Sequence, residues 1–151
     1  MAITVQPALS PHLVVDNAAA AIDFYVKAFD AVELGRVPGP DGRLIHAAVQ
    51  INGFTVMLAD DFPEMCSGQS MTPKALGGTA VTIHLTVTDV DAKFQRALNA
   101  GATEVMPLED QFWGDRYGVV ADPFGHNWSL GQPVREVSYD EIQKAMCAQA
   151  D

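Results

Sequence analysis

The chain is short of positive charge, of cysteine and of long apolar runs, and each shortage removes a class of protein. Lys and Arg number 9 against 19 Asp and Glu, a net charge of −10. Phosphate recognition rests on clustered cations, so neither a nucleic acid nor an anionic membrane surface is expected as a partner. No stretch approaches the ~20 apolar residues of a membrane span. The opening MAITVQPALS has neither the basic start nor the apolar centre of a secretory signal. The two cysteines, Cys66 and Cys147, form no CxxC pair, and free thiols in a reducing cytoplasm are expected. A P-loop, a dinucleotide fingerprint and a Ser-His-Asp order are also missing.

What is present is a globular balance. The 151 residues are 48% hydrophobic and 19% charged. A chain of this size buries about two-thirds of its unfolded surface and needs no disulfide staple. Residues 9–15 read as a strand. Asn17 is a natural N-cap for a helix over 18–29, which sets Ile22, Val26 and Phe29 on one face beside Tyr25. Strands follow at 32–37, 44–51 and 54–59. Asn52-Gly53 between the last two predicts a type I′ turn, which needs positive φ at both central residues. Residues 61–79 have no periodicity and carry Pro63, Gly68, Pro73, Gly77 and Gly78, as a linker, lid or binding loop does.

The same order then returns. A strand over 81–87, a helix over 89–100 that stops at Gly101, and strands at 103–108, 117–121 and 127–130 are predicted. Ser138 and Glu141 form a capping box for a short final helix carrying Ile142 and Met146 on one side. PHLVVDN at 11–17 matches IHLTVTD at 83–89, and Gly53-Phe54 matches Gly125-His126. Such an internal repeat is the most informative pattern in the chain. It divides the protein into a first βαβββ module (1–60), a linker or lid (61–79), a second βαβββ module (80–132) and a C-terminal helix and tail (133–151). The expected class is α+β. Each module has a curved mixed sheet with one face left uncovered, so two modules must associate.

These residues resemble the vicinal oxygen chelate superfamily of glyoxalase I, bleomycin-resistance proteins and extradiol dioxygenases. The carrying segments are Val15-x-Asn17 with Ala21-Ile22-Asp23-Phe24-Tyr25, then Val87-Thr88-Asp89-Val90-Asp91, then Asp122-Pro123-Phe124-Gly125. His46-Ala47, Asp60, the run from Phe112 to Gly118 and DPFGHNW at 122–128 are similar to its PhnB-like branch. The resemblance covers the chain to about Gln132. It implies a cleft between curved sheets, a small-molecule ligand and a homodimer.

The resemblance also implies four metal-ligand positions, on the first and fourth strands of each module. They fall at Ser10, Met57, Thr82 and Ser129, a poor donor set for a transition ion. No cofactor is therefore expected. The alternative is a divalent metal on a relocated site, because His12 and His84 each lie two residues beyond such a position and alternation returns them to the same side. They are also the candidate catalytic acid/base groups. Candidate ligand-binding residues are His12, His46, Met57, His84, Trp113, Arg116, Tyr117 and His126. Trp113 and Tyr117 would stack on a flat ligand and Arg116 pair an anion, or the same residues would hold their loop and cover the core edge. Trp128 falls on the opposite side of its strand, towards core or interface. Three functions are thus in view: a metal-free binding protein for an apolar or aromatic molecule, a lyase, isomerase or dioxygenase, and a non-catalytic assembly or stress protein.

Overall fold

Each half of the chain folds into its own four-stranded sheet with a helix across one side. In the computed structural model, which describes residues 2–150, the first half runs β1 (His12–Val15), α1 (Ala18–Phe29), β2 (Val32–Pro38), β3 (Leu44–Ile51) and β4 (Phe54–Asp60). The order across its sheet is β1-β4-β3-β2, with β1 parallel to β4 and the other pairs antiparallel. A connector carries a one-turn helix α2 (Pro73–Leu76). The second half runs β5 (Thr82–Thr86), α3 (Val90–Ala100), β6 (Thr103–Asp110), β7 (Asp115–Ala121) and β8 (Asn127–Pro133), in the matching order β5-β8-β7-β6. A last helix, α4 (Tyr139–Ala148), follows.

Local chemistry accounts for these elements. The Asn17 side chain accepts the Ala20 amide at 3.0 Å and starts α1. Asn52 and Gly53 take φ of 51° and 81°, the two positive values that a type I′ hairpin turn requires. Ser138 and Glu141 close both halves of the capping box on α4. Leu44, Ala47, Val49 and Ile51 of β3, with Val56 and Leu58 of β4, are buried beneath α1. The first strand starts at His12 rather than at Leu9. Pro11 has no amide to give and offers only its carbonyl, to Met57 N at 2.9 Å, while Leu9 is 97% exposed. The helix α3 starts one residue later than its pattern suggests, because Asp89 sits in the left-handed region at φ 52°.

Both helix starts are fastened to the end of the fourth strand of their own module. Asp60 accepts Ala18 N at 2.7 Å and Leu44 N at 2.6 Å. At the repeat-equivalent place, Gln132 accepts Val90 N at 3.0 Å. The connector is fastened too. Asp61 accepts Ser70 Oγ at 2.6 Å and Met71 N at 3.1 Å. Arg43 donates to the Asp61 carbonyl at 2.9 Å, pairs with Glu64 and Asp41, and stands over the Phe62 ring. Thr72 and Pro73 are buried.

The two modules meet through their helix-covered sides. α1 lies along α3, and Tyr25 and Phe29 pack on Trp128 with ring centroids 5.3 and 4.8 Å away. Phe24 and Tyr25 also meet Phe124. At the centre is Asp122, only 5% exposed. One carboxylate oxygen accepts Tyr25 Oη at 2.7 Å and Trp128 Nε1 at 2.9 Å, and the other accepts the amides of Phe124 and His126 at 2.9 and 3.0 Å. Burial, then the adjacent Asp122 charge, holds the Tyr25 phenol well above its ordinary value.

Two predictions follow from this centre. Asp122→Asn sets an amide N–H against at least one buried donor and should lower stability by about 2–4 kcal/mol, read from the urea midpoint. For Tyr25, the folded state holds its proton to higher pH than the unfolded state. The stability this gives is complete below about pH 10 and is lost as pH rises from there towards the folded value. Tyr25→Phe should therefore flatten the alkaline fall of the melting temperature.

Candidate functional site

With the helices turned inward between the modules, each sheet keeps a face that no helix covers among the described residues. Strand alternation decides which side chains stand there. On the first sheet these include His12, Val14, His46, Ala48, Met57 and Ala59. His12 lies directly beside Met57 in the parallel ladder, and the rings of His12 and His46 stand edge to face with centroids 6.2 Å apart. The strand β2 adds Val32 and Val37, both exposed, opposite Gln50 and His46.

On the second sheet the open face carries a row of rings. His84 stacks on Tyr117, with centroids 5.9 Å apart and planes 20° from parallel. Trp113 meets Tyr117 edge-on at 5.4 Å, and Phe112 meets Trp113 at 5.1 Å. His84 lies beside Ser129 in the ladder, and Ser129 Oγ is 2.8 Å from its Nδ1. Nε2 has no partner among the described residues. Gly131 is needed here for space, since a Cβ on it would come within 2.9 Å of His84 Cε1. Ser129 is buried, so it acts as an anchor for the imidazole.

The structure thus divides the candidate residues into separate groups. His12, His46 and Met57 share the first open face. His84, Trp113 and Tyr117 share the second. No hydrogen bond or ring contact joins the two sets among the described residues. Arg116 and Tyr117 alternate to opposite sides of β7. The Arg116 guanidinium faces away from the rings and is held by Asp91 at 2.7 Å and Asp110 at 3.1 Å. That pairing pulls the Asp91 carboxyl below its usual range. His126 lies between the modules, with Nε2 2.9 Å from the Val14 carbonyl oxygen. It borders a groove with Pro11, His12, Thr79 and Asn127.

The family positions for a metal offer little to one. Thr82 is level with Asn127, Ser129 is spent on His84, and Met57 offers only a thioether beside His12. Among the described residues no three of His, Cys, Asp and Glu come close enough to hold an ion. The donors present within one chain therefore do not fit a transition-metal centre.

Comparison with known proteins agrees with this layout. The profile of the glyoxalase/bleomycin resistance protein/dioxygenase superfamily matches residues 5–130. The chain belongs to that superfamily. An uncharacterized protein of Mycobacterium bovis is 83% identical over the whole of this chain and 99% of its own length. The solved structure of TioX from a Micromonospora species is 31% identical, covering 85% of this chain and 99% of that one, with a TM-score of 0.65. TnmS3 from a Streptomyces species, described as an antibiotic binding protein, is 26% identical over 87% of this chain and 99% of its own, with a TM-score of 0.62.

Sequence reasoning missed two parts of this arrangement. Ser129 as partner of His84, and Gly131 as the space beside it, are visible only once the β5–β8 register is known. Phe112 carried a signal in its place next to Trp113. Ser129→Ala should free Nδ1 and change the tautomer balance of His84, seen in imidazole 15N shifts, at a stability cost of about 1 kcal/mol. Gly131→Ala should displace the ring from Tyr117 and change the same resonances.

Proposed function

We propose that this superfamily member binds a flat apolar or aromatic small molecule without a metal, in a cleft that a second copy of the chain completes. The observation that carries the proposal is the ring row of Phe112, Trp113, Tyr117 and His84 on an open sheet face. Such a surface stacks on a planar ligand, and the imidazole supplies a placed hydrogen-bonding group. The first sheet's open face is complementary in character: apolar, with His12, His46 and Met57. Met57 adapts its shape to what lies against it. Within one chain the modules are locked by their helix sides, so the two faces meet only if a homodimer sets one module against the partner's other module. The description of TnmS3 as an antibiotic binder supports this class of ligand. The two exposed thiols, Cys66 and Cys147, fit a cytoplasmic setting.

A second reading is an acid/base or metal-assisted lyase, isomerase or dioxygenase. The pairing of His12 with His46 favours it, because two imidazoles on one face could pass a proton or share an ion supplied across a dimer.

One experiment separates the two. Trp113 is one of only two tryptophans, and the other, Trp128, is fully buried. Titration with planar aromatic compounds should quench Trp113 fluorescence in a dimer shown metal-free by native mass spectrometry. Tyr117→Ala should weaken binding by about tenfold. A tightly held transition metal that His12→Ala or His84→Ala releases would overturn the binding reading, as would turnover of a glutathione hemithioacetal with added divalent ions.

A further inference from the structure

The near-repeat supplies an internal control for a cavity that the open faces do not include. Between the end of α1 and the helix-covered side of the second sheet lies a space of about 270 Å³. Its walls include Phe29, Leu85, Val87 and Leu130, with Asn52 and Lys93 among the residues that border it. The spacing that relates His12 to His84 also relates Leu13 to Leu85, Val15 to Val87 and Leu58 to Leu130. Leu13, Val15 and Leu58 therefore form matching apolar walls on the first module, while Phe29 corresponds to Gly101.

There, however, an aromatic ring stands where the second module has an amide. The counterpart of Asn52 is Phe124, whose buried ring packs against Phe24 and Tyr25. The counterpart of Lys93 is Ala21, which is fully buried. On the second module the ring is replaced by an amide, which turns aside to give its N–H to the Thr86 carbonyl at 3.1 Å. The methyl is replaced by a half-buried lysine. The ring and methyl of the first module are thus an amide and a cation beside the hollow of the second.

The charges around the hollow indicate what it accepts. Asp30 also borders it, but its carboxylate is neutralised by Arg96 at 2.6 Å. Arg96 further donates to the Lys27 carbonyl at 2.6 Å, so the C-terminal end of α1 is covered as well. Lys93 forms no ion pair among the described residues, in a chain where acids outnumber cations. A groove lined by Thr86, Thr88, Gln132 and Pro133 adjoins the hollow and shares Asn52, Val87 and Lys93 with it. The volume is close to the lower end of the ~300–1,000 Å³ typical of small-molecule sites.

We infer that this inter-module cavity is a second binding site, for a small carboxylic acid with an aryl or branched alkyl tail. The tail lies against Phe29, Leu85 and Leu130, and the carboxylate pairs with Lys93. This assignment is independent of the ligand proposed for the open faces.

The test uses 4-phenylbutyrate and its neutral amide as probes on the whole protein, with binding followed by methyl NMR. The acid should shift the Leu85, Val87 and Leu130 methyl resonances and bind about tenfold more tightly than the amide. Lys93→Met should abolish that preference and leave the amide's weak binding intact, while Lys93→Arg should keep it. An unchanged melting temperature of each variant shows that the fold is retained. Equal affinity for acid and amide, no shift at these methyls, or shifts confined to the His84 and Tyr117 region would each overturn the assignment.

Discussion

A buried carboxylate with four donors around it sets the arrangement of the whole molecule. Asp122 takes the phenol of a helix in one module, the indole of a strand in the other, and two amides of its own turn. Each of those donors would be costly to bury unpaired, and the charge itself would be costlier still. The group is therefore stable only when Tyr25, Trp128 and the turn at 122–126 are all in place. That requirement brings α1 against the second sheet and ties the two modules helix side to helix side.

The open faces are a consequence of that tie. Once the helices lie inside, the rings of His84, Tyr117 and Trp113 on one sheet and the imidazoles of His12 and His46 on the other have no helix over them among the described residues. Val32 and Val37 at the sheet edge add exposed apolar surface to the first of these faces. Met57, Thr82 and Ser129, which the resemblance sets at the metal-ligand positions, lie on these faces. The side chains on these faces offer rings, hydroxyls, a thioether and imidazoles.

The repeat shows which features are structural and which are particular to one module. Fastening of the helix start is kept in both, by Asp60 in one and Gln132 in the other. Its conservation within the chain is that of a geometric need, since a helix end leaves amides without partners. The change from Phe124 to Asn52 and from Ala21 to Lys93 serves no such need. It sets an amide and a cation beside the hollow between the modules, where the first module has a ring and a methyl.

Much of the fold could be read from residue order alone, because its causes are local. Asn17, the Asn52-Gly53 turn, the Ser138–Glu141 box and the alternation in β3 and β4 act over a few residues, and the match of 11–17 with 83–89 exposes the two modules. What the sequence did not determine was pairing at a distance. Arg116 is adjacent to Tyr117 in the chain, yet strand alternation and two aspartates turn it away from the rings. His126 belongs to a cross-module contact with Val14, and Asp122, which reads as a turn residue, is the centre of the interface. Register, burial and the choice of which faces meet depend on contacts between residues far apart in the chain. Only the packed structure could decide whether each histidine stands on an open face or between the modules.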